Sequence, residues 1–260
     1  MSKCVLQAHN ICYQIGSLSL LHNVEFELKD GEILAVVGPN GAGKTTLLKA
    51  IVGELALTAG VIEFAGRDVS HWPLQERAKH IAVLPQLSLL NFPYTVDEVV
   101  ALGRTPHSSG RDVDQNIVQN AMLAMDLKHL SGRLYTQLSG GEKQRTQLAR
   151  VMAQIWREQD ADQRLLILDE PTSSLDLGHK QQLMQAVQDF AAKGAAVIMV
   201  EHDLNIAANY SHRLLALNYG RCIACGPVND VFNQDLVQQL FGAQVRLLHD
   251  PLSGKKVISL

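Results

Sequence analysis

The chain is poor in cysteine, in surplus charge and in long apolar runs. Four cysteines in 260 residues are too few for a disulfide scaffold. Cys222 and Cys225 have a metal-like or redox-like spacing, but no second pair completes a tetrahedral zinc site. They lie in an alternating, strand-like stretch and read as structural. With 23 Lys+Arg against 26 Asp+Glu the net charge is −3, without the basic surplus of an electrostatic nucleic-acid binder. Apolar runs such as Ala195–Val200 and Ile33–Val37 stop at six and five residues, where a membrane-spanning helix needs about twenty. Met1, Ser2, Lys3 and Cys4 lack the charged head and apolar core of an export signal, so the expected compartment is the cytoplasm. No repeat, low-complexity tract or sustained heptad is present. What remains, 47 % hydrophobic and 19 % charged residues, is the composition of a folded chain with one large domain or two smaller ones.

The pattern of apolar residues divides the chain. The first thirty residues read as short strands, with Val24, Phe26 and Leu28 alternating with Glu25, Glu27 and Lys29. Asp30-Gly31 marks a turn, and Ile33–Val37 suits a strand covered on both faces. Gly60–Val69 adds a small β section. From Val96 to about Trp156 the period becomes helical: Ile117, Ala121, Met122 and Met125 share one face, as do Leu148, Val151, Met152 and Ile155. Apolar runs Leu165–Leu168 and Ala196–Val200 then flank a helix carrying Leu183, Val187 and Phe190. Such βαβ alternation predicts an α/β fold with a mostly parallel sheet. The expected division is a core over 1–88 and 159–260, interrupted by a helical subdomain over 89–158.

Gly38-Pro39-Asn40-Gly41-Ala42-Gly43-Lys44-Thr45 fits the G-x-x-x-x-G-K-[ST] phosphate loop, placed between a predicted strand and a predicted helix. Glycines let backbone N–H groups close around phosphate, and the helix aims its positive end at the same anion. Lys44 can reach the β- and γ-phosphates and Thr45 can ligate Mg²⁺; Thr46 follows as a further candidate nucleotide contact. Leu165–Leu168 delivers Asp169-Glu170 at a strand's C-terminal edge, where open α/β sheets bind ligands. Asp169 is the candidate metal-holding acid, and Glu170 is placed to polarise an attacking water.

Leu138-Ser139-Gly140-Gly141-Glu142-Lys143-Gln144-Arg145 resembles the signature motif of ATP-binding cassette (ABC) proteins. It can act as a second phosphate-binding helix start; as a plain capping box it leaves the paired glycines unexplained. Other landmarks follow in family order: Gln86 resembles the glutamine that senses Mg²⁺ or water, Ser174-Leu175-Asp176 the D-loop, and His202 the switch histidine. The resemblance covers essentially the whole chain. It implies a P-loop NTPase (RecA-like) core with an antiparallel β subdomain and an inserted helical subdomain, using ATP and Mg²⁺. It also implies a nucleotide-sandwiched homodimer. Lys44, Thr45, Gln86, Asp169, Glu170 and His202 of one subunit then face Ser139, Gly140, Gly141 and Asp176 of the other, with Thr45, Gln86 and Asp169 around the metal.

Two departures from the family pattern stand out. The aromatic that stacks on adenine in the family falls on Ile15 here, and Tyr13, two residues earlier, is the alternative. The 31-residue interval from Leu138 to Asp169 is longer than usual, and its excess, Arg157–Arg164, reads as a surface loop.

A single cassette without a span suits the energy subunit of a membrane transporter. A soluble ABC ATPase acting on ribosomes or DNA is the alternative class. An unrelated P-loop kinase or GTPase would lack the signature and His202. The segment from Thr95 to His107, containing Gly103-Arg104-Thr105-Pro106-His107, resembles ATPases of ferric siderophore, hemin and cobalamin importers. Gly226-Pro227 and Leu248-His249-Asp250-Pro251 agree with that subfamily. The extended interval with Trp156, and Pro171–His179, resemble the hemin-import members most. The implied partners are two transmembrane permease subunits, docked around Gln86–Arg104 on the cytoplasmic face of the inner membrane. A solute-binding protein acts indirectly, and no nucleic acid is expected.

Overall fold

A computed structural model describes residues 3–86, 92–249 and 256–259. Met1, Ser2, the expected boundary at 88/89 and the Asp250-Pro251 dipeptide lie outside the described residues. Two units emerge, Met1–Trp72 with Ala196–Leu260 and Pro73–Ala195. Their bounds differ from the division read from periodicity, because strands at 81–84 and 165–169 group with the helical segment.

The first unit opens on β1 (Cys4–Ile15) and β2 (Leu18–Lys29). They are twelve residues each rather than short, and β1 is kept in register through four irregularities with β2. Val24, Phe26 and Leu28 are buried on one face of β2, as the alternation requires. Then come β3 (Ile33–Val37), α1 (Lys44–Ile51), β4 (Ala59–Phe64) and β5 (Arg67–Asp68). The antiparallel sheet runs β2-β1-β4-β5. Eight residues are too few for an isolated helix in water. Helix α1 is held by burying Leu47, Leu48 and Ile51, each worth roughly 1.5–3 kcal/mol when fully removed from water.

The second unit contains α2 (Leu74–His80), β6 (Ile81–Leu84), α3 (Val96–Ala101), α4 (Arg111–Ala124), α5 (Gly140–Gln154), β7 (Leu165–Asp169) and α6 (Leu177–Ala192). Strands β6 and β7 pair in parallel. The predicted faces of α4 and α5 are buried, including Met122, Met125, Leu148 and Met152.

Residues 157–164 form a loop that is solvated only in part: Glu158, Gln159 and Asp162 are exposed, whereas Gln163 and Arg164 are buried. Asp160, with 7 % of its side chain exposed, accepts from Arg104 Nη2 at 2.7 Å and from Arg157 Nη2 at 2.8 Å. Arg164 is buried, donates to the carbonyls of Trp156 (2.9 Å) and Lys193, and lies 5.7 Å from the Phe190 ring centroid. Polar residues fold inward here because buried charge is tolerated when paired and hydrogen-bonded.

The chain returns to the first unit with β8 (Ala196–Val200), α7 (Leu204–Tyr210), β9 (Arg213–Asn218), β10 (Arg221–Pro227), α8 (Val228–Val231), α9 (Gln234–Phe241), β11 (Arg246–His249) and β12 (Lys256–Ser259). Within this unit the strands run β10-β9-β3-β8, parallel except for β10. Strands β3 and β8 are wholly buried, as runs covered on both faces should be. Among the described residues no helix is long and apolar enough to cross a membrane.

Candidate functional site

In the first unit, Val36 pairs with Val200 across parallel β3 and β8. Gly38 and His202, each two residues further on, therefore leave neighbouring strands at one C-terminal edge, the ligand-binding edge of such sheets. Backbone geometry requires the glycines: φ is +155° at Gly38, +77° at Gly41 and +101° at Gly43. A Cβ on Gly38 would stand 2.1 Å from the Leu217 carbonyl oxygen, so no larger residue fits. Lys44 is buried and donates to the carbonyls of Gly38 (2.8 Å) and Pro39 (3.0 Å), which folds the loop over its own helix start. Thr45 is exposed and Thr46 half-buried at the opening of α1. A loop with close-packed glycines, a lysine and a helix N-terminus fits a phosphate chain.

The turn after β9 supports this loop. Gly220 N–H donates to Ala42 O at 2.9 Å, and Gly220 O accepts from His22 N at 2.8 Å. Gly220 is a supporting residue that motif reading misses; its only sequence signal is a glycine in the turn Tyr219-Gly220. His202 itself is exposed; Glu201 before it is buried, and Asp203 after it is exposed and caps α7 through Asn205 N and Ile206 N.

The second unit repeats the construction. Leu84 pairs with Leu168 across parallel β6 and β7, so Gln86 and Glu170 emerge side by side. Gln86 Nε2 donates to Glu170 Oε2 at 2.8 Å. Asp169 is buried at the strand end, and Glu170 takes φ +52°, a left-handed conformation uncommon for a non-glycine residue. Within this unit Gln86 and Asp169 offer an amide and a carboxylate oxygen, donors of the kind that Mg²⁺ takes.

The signature segment opens α5 as a capping box: Ser139 Oγ accepts from Glu142 N at 3.3 Å and Glu142 Oε2 from Ser139 N at 2.7 Å. The backbone hydrogen bond from Ser139, aided by its side chain, holds the Glu142 carboxyl below the usual range. A lowered folded-state pKa means that this stabilisation is present above the ordinary glutamate pKa. It is lost as pH falls through the lowered value. Ser139→Ala is expected to cost about 1 kcal/mol, read as a lower urea midpoint at unchanged slope; an unchanged midpoint would contradict the cap.

A Cβ on Gly141 would meet Leu175 Cδ2 at 3.1 Å, while around Gly140 the space is open. Gln144 Nε2 donates to Pro171 O at 3.0 Å, tying α5 to the turn after Glu170. Asp176 caps α6 by accepting from His179 N at 2.9 Å. Tyr13 is half-buried in β1 opposite Leu21, with register irregularities on both sides, while Ile15 is 57 % exposed at the hairpin end.

The far end of α5 is clamped. Arg104, 4 % exposed, donates through Nη1 to the Ala153 carbonyl (2.9 Å), through Nε to Asp114 (2.8 Å) and through Nη2 to Asp160 (2.7 Å). His107 Nε2 bonds Gln154 O at 2.7 Å, and a Cβ on Gly103 would stand 2.1 Å from Arg150 O. The Gly103-Arg104-Thr105-Pro106-His107 segment thus fixes the helix that begins at Ser139.

A family model described as "ABC transporter" matches residues 21–173. The chain is 45 % identical over 254 residues to the hemin import ATP-binding protein HmuV of Pseudomonas entomophila, covering 98 % of this chain and 99 % of that one. It is 47 % identical over 252 residues to the protein of the same name from Gloeobacter violaceus, covering 96 % and 92 %. Among solved structures, an ABC transporter ascribed to the metal-chelate type, inward-facing, superposes with a TM-score of 0.82 at 26 % identity, covering 98 % of this chain and 96 % of that one. An ATP-binding cassette in its ADP conformation gives a TM-score of 0.80 at 23 % identity, over 93 % and 100 %. The chain belongs to the ABC transporter family and carries its nucleotide-binding ATPase domain.

Proposed function

We propose that this chain is the ATP-hydrolysing subunit of an importer for hemin, acting as a homodimer on two permease subunits at the cytoplasmic face of the inner membrane. The observation that carries the ATPase part is that one chain holds two glycine-bearing helix starts, each of a kind suited to phosphate. One is the phosphate loop closed by Lys44; the other is the capped Ser139-Gly140-Gly141 helix start. Hemin is supported by the near-full-length likeness to hemin import ATP-binding proteins. In this reading Lys44 and the loop amides bind the β- and γ-phosphates, and Ser139, Gly140, Gly141 and Asp176 of the second copy close over the same nucleotide. Thr45, Asp169 and Gln86 would hold Mg²⁺, which would supply charge neutralisation. Glu170 takes a proton from the attacking water, Gln86 orients that carboxylate, and His202 contacts the γ-phosphate. ATP binds the closed dimer better than the open one, so binding closes it and hydrolysis reopens it. The expected division into a core (1–88, 159–260) and a helical signature subdomain (89–158) belongs to the same proposal.

Lys44→Ala tests the loop. Removing a charge-assisted phosphate contact is expected to weaken a fluorescent ATP analogue by roughly 10–100-fold, about 1.5–3 kcal/mol. Wild-type affinity and turnover in that variant would contradict the assignment.

A further inference from the structure

Cys222 and Cys225 stand on β10, where three residues normally separate opposite faces. Here Cys222 pairs with Leu217 and Cys225 with Leu215, because a register shift falls between Cys222 and Ala224. Ladder partners two residues apart share a face, so the irregularity brings both cysteines to the same side of the strand. Both are free and half-buried. Arg213 Nη2 donates to Cys225 Sγ at 3.7 Å.

We propose that Cys222 and Cys225 form a dithiol modification site, which exchanges with a low-molecular-weight disulfide and closes an internal disulfide on the strand behind the phosphate loop. The two sulfurs have unequal roles. The hydrogen bond from Cys222, with the Arg213 cation, brings the Cys225 thiol down to about 7 against the opposing effects of burial and Glu32. Cys222, as the donor and half-buried, is held well above the usual thiol range. The thiolate is the attacking form, so Cys225 is the nucleophile and Cys222 the resolving thiol.

In the exchange, Cys225 thiolate attacks one sulfur of glutathione disulfide. That S–S bond breaks and one glutathione thiolate leaves. Once Cys225 is a mixed disulfide it no longer accepts the Cys222 proton, which passes to solvent. Cys222 thiolate then attacks Cys225 Sγ and releases the second glutathione thiolate. Two electrons move from the protein dithiol to the glutathione pair.

The site is linked to the loop through Leu217. That residue is the ladder partner of Cys222, and its carbonyl oxygen occupies the place where a Cβ on Gly38 would stand. Two ladder positions span about 6.8 Å of strand, at the upper limit, about 6.8 Å, of Cα separations that a disulfide tolerates. Closing the bridge therefore shortens β10 beside the loop, and a strained bridge of this kind is readily reduced again.

Trypsin cuts after Arg221 and Arg246, so both cysteines lie on the single peptide 222–246. After incubation of the full chain with glutathione disulfide, that peptide is expected to be lighter by two hydrogens and to revert with dithiothreitol. Cys222→Ser should accumulate glutathione on Cys225, whereas Cys225→Ser should stay unmodified. No internal disulfide, or equal labelling of the two single variants, would overturn the site. The oxidised chain is further expected to bind a fluorescent ATP analogue on the order of fivefold more weakly than the reduced chain; equal affinity would overturn the coupling. The coupling rests on the phosphate-loop reading, and failure of the reduced chain to bind the analogue marks failure of that reading alone.

Discussion

Glu170→Gln is expected to keep ATP binding, to dimerise with ATP, and to lose turnover by roughly 100- to 10,000-fold, the range supplied by a positioned general base. The substitution preserves size and leaves an amide where a carboxylate accepts the Gln86 Nε2 hydrogen bond at 2.8 Å. It removes the negative charge and with it the capacity to take a proton. Glu170 has its left-handed backbone, φ +52°, immediately after the wholly buried strand β7, so the carboxylate is presented by a rigid support. The amide of Gln86, fixed by the neighbouring strand, sets its direction. Phosphate release at saturating ATP and sedimentation with and without ATP separate the two effects. Turnover within threefold of wild type would remove Glu170 from the chemistry. Lost turnover without ATP-dependent dimerisation would leave the carboxylate with a structural role.

Arg104→Ala is expected to destabilise the chain by about 3 kcal/mol, since breaking a buried pair leaves an uncompensated charge, and to lower Tm by roughly 6–12 °C for a chain of this size. The figure sits at the low end of the range because Asp160 keeps Arg157 at 2.8 Å and Asp114 is 26 % exposed. Arg104→Lys should recover only part of the loss, because one ammonium cannot serve Ala153 O, Asp114 and Asp160 with the geometry of a planar fork. The cluster has an acid limit as well. Burial first, and then the Arg104 charge, hold His107 below the usual histidine value, against the pull of Gln154 O and Asp160. With the folded-state pKa depressed, stability is full above the ordinary histidine value and falls as pH drops through the lowered one. Differential scanning calorimetry across that window checks both effects. A Tm for Arg104→Ala within 2 °C of wild type, a shift below roughly 1 kcal/mol at this size, would contradict the clamp.

The features readable from sequence were those fixed by local pattern. The phosphate loop needs glycines at set positions because its own backbone turns through positive φ, and the buried runs at Ile33–Val37, Leu165–Leu168 and Ala196–Val200 need no partner to declare themselves. Ser139 and Glu142 form their capping box within one helical turn. Residues 157–164 were read as a surface loop because a polar stretch looks solvated until its partner is known, and Arg104 lies 56 residues before Asp160. Cys222 and Cys225 share a face only through a register irregularity that no spacing rule contains. The length of β1 and β2 was likewise hidden, since those strands persist through irregular register that interrupts simple alternation.

The most direct test is ATP hydrolysis by this chain assembled with its permease in liposomes, measured with hemin-loaded, siderophore-loaded and cobalamin-loaded binding proteins supplied separately. Stimulation by the hemin-loaded protein alone, abolished by Glu170→Gln, is the expected result. Stimulation only by a siderophore or cobalamin system would contradict the substrate, and failure to assemble with any permease would contradict the importer role itself.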